Sequence, residues 1–404
     1  MNWICCQLGA RQGYRIPLGI QQRGLLDKLI TDIWVPPRSP YRTLSRHLRG
    51  RNNPKINRKL VASANVASAL LELQFRSTKL VGWDKIVERN RFFDSFTSKQ
   101  IEKLAIQSGE SPKTVFGYSY AGARYFETAK KLGYQTVMQQ IDAGPKMFEI
   151  ESTLCDRHPE FASKSPSPPA TYWEEWTRQT NHADKIVVNS KWTSHALENI
   201  GIPKNKISQI PLCFPTSGAQ PSKASLPAKF SKSRPLRLLF VGQVTLLKGI
   251  AELLHAMELL NNQPVTLTIV GPLHINIPRR LLNNPQIAIE GRVPRSECAK
   301  HYDRSDAFVF PSFSDGFGLV QLEAQHYGKP IIASKNCGEV VTHGTNGILL
   351  DTVSAESIAN AIEILIKSPE TIAHFAEQSH ISPQFSLNTT TQQLLDVFDT
   401  NELS

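Results

Sequence analysis

The feature that most constrains this chain is the stretch running from Ala307 to Pro330. An apolar run, Ala307-Phe308-Val309-Phe310, ends at Pro311 and reads as a buried parallel strand. The short turn Ser312-Phe313-Ser314-Asp315-Gly316-Phe317-Gly318 follows. Leu319, Leu322 and Tyr327 then recur at roughly helical spacing until Gly328 and Pro330 stop the helix. Strand, glycine turn and helix together offer backbone N–H groups and a positive dipole end to an anion. Asp315 sits on the turn and Glu323 eight residues later, inside the helix. Two carboxylates around such a helix start suit a ligand with phosphates at one end and sugar hydroxyls at the other.

This stretch resembles the acidic-x7-acidic signature of family 4 of the retaining nucleotide-sugar glycosyltransferases with the GT-B fold (glycosyl transferases group 1). That signature usually reads Glu-Gly-Phe-Gly-Leu-x-x-x-Glu. Asp315 stands in place of the first Glu, keeping the charge and shortening the reach by one methylene. The resemblance implies an α/β architecture of two Rossmann-like, doubly wound domains facing a central cleft. It also implies that Asp315, with the amides of Gly316 and Phe317, grips the transferred sugar. Gly318, Leu319 and Val320 would line the diphosphate, and Glu323 would hold the ribose hydroxyls.

At 404 residues the chain is long enough for two domains of ordinary size. With 40% hydrophobic and 20% charged residues it has a soluble, globular composition, and no run approaches the ~20 apolar residues of a membrane span. The start, Met1-Asn2-Trp3-Ile4-Cys5-Cys6-Gln7, has no basic head or cleavage site and reads as a first strand. Six cysteines without metal spacing fit reduced thiols in a cytoplasmic protein. The net charge of +11 is uneven: no acid occurs between Asp32 and Glu72, while residues 38–59 hold Arg38, Arg42, Arg46, Arg49, Arg51, Lys55, Arg58 and Lys59. Such a block attracts polyanions, an anionic membrane surface or a pyrophosphate-linked acceptor ahead of nucleic acid, for which no accompanying motif exists. A solvated loop and helix face would carry the same charges. The resulting expectation is a cytoplasmic protein, peripheral at the inner face of the membrane.

The first domain is expected over 1–213. A strand over 3–8 feeds the glycine loop Gly9-Ala10-Arg11-Gln12-Gly13. In GT-B enzymes this loop lies in the cleft, which makes Gly9 and Arg11 candidate contacts to donor phosphates. A second strand is expected over 29–34 and a helical region over 61–73, with further helices from 83 to about 106. Strands at 114–120 and 135–142, separated by a helix that Gly133 stops, have doubly wound spacing. Ligands in such sheets bind beyond the carboxyl ends of the strands, where Tyr118, Tyr120 and Asp142 fall. Many members of the resembled family place a histidine there to contact the donor sugar; here tyrosines and Asp142 occupy those ends. Asp142 could accept from a sugar hydroxyl, serve the acceptor hydroxyl as a base, or cap a loop. His158, in a polar, proline-rich stretch, reads as a surface residue. Ser190 reads as an N-cap for the helix opening at Lys191-Trp192.

The polar segment 214–234 is the clearest linker. The second domain is expected over 235–383, and a tail over 384–404 whose helix returns to the first domain. Leu236 to Val241 is a strand ending at Gly242-Gln243, and Lys248 closes the following loop. The family usually has Arg where Gln243 stands and keeps the Lys, so Lys248 is the cation expected on the diphosphate, with Arg11 and Arg292 as substitutes for the missing one. Arg292 and Val293 match residues that lie against the nucleobase in the family.

No Asp-x-Asp sequence occurs, so the expectation is a metal-independent enzyme without a cofactor, in which Lys248 and the loop amides stabilise the departing diphosphate. Lys248, Asp315 and Asp142 are the candidate catalytic residues. The resemblance implies a retaining glycosyltransferase moving a sugar from a UDP- or GDP-sugar to a glycan or lipid-linked acceptor in polysaccharide assembly. Three other readings use the same cleft. They are a GT-B-like sugar-nucleotide epimerase, a catalytically silent sugar-nucleotide-binding protein, and a glycosyltransferase acting on DNA.

Overall fold

A computed structural model describes residues 1–36, 39, 46–109, 111–162, 167–215 and 226–399. The basic residues Arg38 and Arg42 and part of the linker, 216–225, therefore lie outside the described residues, as do the last residues of the tail.

The chain forms two parallel sheets. The first contains β1 (Asn2–Gln7), β2 (Leu26–Thr31), β3 (Val61–Ser63), β4 (Lys113–Tyr118), β5 (Gln135–Gln139), β6 (Lys185–Val188) and β7 (Ile207–Gln209), in the order β3-β2-β1-β4-β5-β6-β7. The second contains β8 (Leu236–Val241), β9 (Val265–Val270), β10 (Ile287–Gly291), β11 (Ala307–Phe310), β12 (Ile331–Ala333) and β13 (Gly347–Leu349), in the order β10-β9-β8-β11-β12-β13. Both orders reverse direction beside the first strand of the sheet, which opens a crevice at the carboxyl ends there.

Central strands are buried on both faces, which is why they are continuous apolar runs. Cys5 and Cys6 are neighbours on β1 and point into different cores, Cys5 with Trp3, Tyr14 and Leu29, Cys6 with Phe93, Tyr125 and Met138. All six cysteines are free thiols. Among the described residues no helix is long and apolar enough to cross a membrane.

Two expectations need correcting. Val61, Ala62 and Ser63 are not helical; they pair in parallel with Leu29, Ile30 and Thr31 as the edge strand, and the helix begins only at Asn65. The second strand lies three residues earlier than expected, so that Asp32 falls in the loop beyond it. The tail forms the helix Leu387–Leu395, which packs on the first helix, Arg15–Gln22. Arg23 donates to the Asn388 side chain at 2.6 Å and Thr390 to the Pro211 carbonyl at 3.3 Å.

Candidate active site

The second sheet supplies one wall of the crevice. After β11, the loop 311–318 is stitched to the turn Leu246–Lys248: Phe313 N–H donates to the Leu247 carbonyl at 2.8 Å and Ser312 Oγ to the same oxygen at 3.1 Å. Gly318 caps the helix Leu319–His326 at φ 79°, a left-handed conformation that favours glycine. Asp315 organises the loop. Its N–H donates to the Asn336 carbonyl at 2.9 Å, its Oδ1 accepts from Phe317 N–H at 3.0 Å, and its Oδ2 accepts from Lys248 Nζ. Lys248 also lies 5.6 Å over the Phe310 ring. The N–H groups of Leu319 and Val320, at the helix start, have no hydrogen-bond partner among the described residues.

Other expected donor contacts spread along the same carboxyl edge. Gly242 ends β8 and Gln243 is exposed beside it; Arg292 is exposed after β10, and Val293 is half-buried. Glu323 lies one turn into its helix, and its carboxylate accepts from the Tyr302 hydroxyl at 3.3 Å. Burial, with the nearby Glu323 charge, pushes the Tyr302 phenol well up.

The first domain supplies the opposite wall. Asp142 Oδ1 takes hydrogen bonds from the Tyr120 hydroxyl, Gln140 Nε2 at 3.0 Å and Gly144 N–H at 2.9 Å. Its Oδ2 has no hydrogen-bond partner among the described residues. Burial raises the Asp142 pKa, although those three donors pull it down. Tyr120 has φ 78°, which is strained for a residue with a side chain. It is held there by stacking on Tyr172, with ring centroids 4.9 Å apart, and by Gln140 Nε2 at 2.9 Å. A cavity of about 160 Å³ opens at these residues and reaches Arg11, Asn90 and Ser119. Tyr118 and Ser119 on its wall bury hydroxyl oxygens that have no hydrogen-bond partner among the described residues.

Arg11 is exposed and places its guanidinium 5.3 Å over the Tyr118 ring. Gly9 is less available than expected. Its N–H donates to Asp32 Oδ1 at 2.9 Å, and Arg51 closes the same carboxylate at 3.0 Å, so this amide is already used inside the loop.

Contacts between the domains bring the two walls together. Gly316 packs on the backbone of Ile141; a Cβ at 316 would overlap the Ile141 carbonyl and lie 3.3 Å from Asp142 N. Trp192 Nε1 donates to Ser314 Oγ at 3.1 Å. Glu339 accepts from Lys191 N–H at 2.8 Å and from Gln209 Nε2 at 2.7 Å. The loop that holds Asp315, Gly316 and Phe317, with Lys248 on Asp315, thus meets the first domain at the Ile141–Asp142 backbone, whereas Arg292 follows β10 and Glu323 lies inside its helix. Sequence reasoning missed Ile141, Trp192, Ser314 and Glu339 as site-forming residues. The only local signal was Ser190, which caps the helix Lys191–Asn199 and so sets the direction of Trp192.

His158 is also a correction. It is buried, not on the surface, and its Nε2 lies 2.7 Å from Glu252 Oε1 of the second domain. The helix Pro145–Arg157 carries it across, with Leu154 and Phe161 sunk in the second domain's core.

Residues 222–380 match the family model "Glycosyl transferases group 1". Among curated proteins, the D-inositol 3-phosphate glycosyltransferase of Pseudarthrobacter chlorophenolicus is 33% identical over 162 residues, covering 37% of this chain and 39% of that one. The capsular polysaccharide biosynthesis glycosyltransferase CapM of Staphylococcus aureus is 28% identical over 174 residues, 40% of this chain and 45% of its own. Each of these matches therefore spans less than half of the relative's length. Anabaena HepE, solved in complex with UDP-glucose, superposes with a TM-score of 0.60 at 16% identity, covering 99% of this chain and 100% of that one. The match to glycosyl transferases group 1 covers the second domain, and the two parallel sheets with the superposition on HepE over nearly the whole chain give the protein the GT-B fold.

Proposed function

We propose that the chain is a metal-independent, retaining glycosyltransferase that moves a sugar from a UDP- or GDP-sugar to a hydroxyl of a glycan or lipid-linked acceptor. The observation that carries this reading is the Lys248–Asp315 pair. It sits on a glycine loop with free helix-start amides, and the next residue, Gly316, packs on the Ile141–Asp142 backbone of the other domain. Support comes from CapM, named for capsular polysaccharide biosynthesis, and from HepE, which was solved with UDP-glucose.

In this reading the donor diphosphate lies at the amides of Leu319 and Val320, and Lys248 Nζ turns from Asp315 to its leaving oxygen. Charge grows on that oxygen as the bond to the anomeric carbon breaks, and preorganised donors there contribute most to rate. Asp315 and the amide of Gly316 hold the sugar, with the Phe317 amide fixing the Asp315 carboxylate; Glu323 takes the ribose hydroxyls, and Arg292 and Val293 flank the base. The acceptor enters from the Tyr118–Asp142 cavity. Its oxygen bonds to the anomeric carbon on the face the diphosphate leaves, and its proton passes to a diphosphate oxygen. Arg11 supplies positive charge where Gln243 cannot.

A thermal-shift panel of UDP-, GDP- and ADP-sugars, followed by product analysis with membrane extract, tests the assignment. Stabilisation by one UDP- or GDP-sugar and an α-linked product from an α-linked donor are expected. Free or isomerised sugar from donor alone would point instead to an epimerase, and binding without turnover to a silent binder.

A further inference from the structure

The helix Lys191–Asn199 of the first domain faces the loop 334–341 of the second across a cavity of about 390 Å³. This cavity shares no residue with the one at Tyr118 and Asp142, and no donor contact lines it. One wall is apolar: Cys337 and Val341 are buried, Trp192 and Leu349 half-buried. The rim is basic. Lys191 and His195 are exposed and four residues apart, so they share one face of their helix, and Lys335 is exposed on the loop. Lys335 pairs with Asp351 at 3.2 Å, an exposed ion pair that water weakens. The acid of the lining, Glu339, has both oxygens engaged, by Lys191 N–H and by Gln209 Nε2.

Backbone donors add to these cations. The N–H groups of Lys335, Cys337 and Glu339 have no hydrogen-bond partner among the described residues. Ammonium groups and amide N–H groups only donate, so the ligand that satisfies them is an acceptor rich in negative charge. Phosphate suits lysine as a point charge, whereas a neutral sugar would leave that charge unmatched. The apolar wall asks for more than the free ion, because a ring-sized body over Trp192 and Val341 buries surface that phosphate alone leaves wet. The same loop is tied to the donor side of the second domain. The Asn336 carbonyl accepts from Asp315 N–H at 2.9 Å, and Gly338 N–H donates to the Phe317 carbonyl at 2.8 Å.

We propose that this cavity binds a small phosphate monoester with an apolar, ring-sized body, and that binding braces the loop that carries Asp315. The phosphate takes Lys191, Lys335 and the loop amides, and the body lies along Trp192 and Val341. Contacts to both domains favour their closed arrangement, and Asn336 and Gly338 pass the restraint to Asp315 and Phe317. An occupied cavity therefore raises donor affinity, and bound donor raises the affinity for the phosphate ester by the same factor. That coupling rests on the glycosyltransferase reading; the phosphate-ester site itself does not.

Calorimetric titration of the full chain with phenyl phosphate, inorganic phosphate and benzyl alcohol tests it. Phenyl phosphate should bind about tenfold or more tightly than inorganic phosphate, and benzyl alcohol should not bind. A Lys191→Met/Lys335→Met variant should bind phenyl phosphate about tenfold or more weakly, with its melting temperature and its donor binding in the absence of phenyl phosphate unchanged. Saturating phenyl phosphate should lower the donor Kd of the wild type and leave that of the variant as it was. The proposal is overturned if phenyl phosphate does not bind, if the variant binds it equally, or if donor affinity does not respond to it. Displacement of phenyl phosphate by donor also overturns it, because the ester would then occupy the diphosphate position. If no donor binds at all, the glycosyltransferase reading fails, while the phenyl phosphate titrations still decide the site.

Discussion

Gly316 of the second domain rests on the Ile141 carbonyl of the first, with no room for a side chain between them. The contact joins the loop that holds Asp315 to the segment that holds Asp142, so the distance between the two walls is set by bare backbone. Gly316→Ala should push them apart by a fraction of an ångström to an ångström. Misplacement on that scale costs on the order of 10²-fold in turnover. We expect kcat to fall by about that factor while thermal stability changes little; wild-type kinetics would show that the contact does not position the reaction.

Glu339 ties the domains from behind the loop, through Lys191 N–H and Gln209 Nε2. Glu339→Ala removes both bonds without touching either core. The variant should show a larger radius of gyration in small-angle scattering, and it should recover on saturation with donor. An unchanged scattering curve would mean that the Trp192–Ser314 and His158–Glu252 contacts suffice to hold the closed arrangement.

His158 and Glu252 form a buried polar pair through Glu252 Oε1, and Glu252 Oε2 has no hydrogen-bond partner among the described residues. His158→Ala leaves a buried carboxylate alone, which costs about 3–5 kcal/mol. Denaturant unfolding should show that loss. Adding Glu252→Gln to the same chain should recover part of it, because the charge is then gone.

Asp306 is buried, which by itself would raise its pKa, but hydrogen bonds from Arg234 and Arg237 outweigh burial and hold the carboxyl below its ordinary value. A depressed folded-state pKa contributes stability above the unfolded-state pKa and loses it as pH falls through the folded value. The stability gap between wild type and Asp306→Asn should therefore be full at neutral pH and shrink below about pH 4. A gap that widens on acidification would contradict this sign.

Much of the fold was legible because parallel strands buried on both faces must be apolar runs, and because glycine turns feed their helices. The Ala307–Phe310 strand, the loop at Asp315 and the helix at Leu319 are local features and could be read locally. The edge strand Val61–Ser63 was not, since three half-buried residues carry no period. His158 was misread because its neighbours are polar and its burial comes from Glu252, ninety-four residues away. The same holds for Gly316 against Ile141 and Trp192 against Ser314: which residue meets which across a cleft is decided by how the domains dock. Gly9 is a subtler case, where a loop expected to offer its amide outward closes it on Asp32 instead.

The most direct test of the account is calorimetric titration of UDP- and GDP-sugars into the wild-type chain and into its Lys248→Ala and Glu323→Ala variants, paired with turnover. The account predicts that one donor binds the wild type with a Kd of about 1 μM to 1 mM. Glu323→Ala should weaken that binding at least tenfold, while Lys248→Ala should leave binding nearly intact and slow turnover by about 10²-fold or more. No binding of any donor, or wild-type behaviour in both variants, would contradict it.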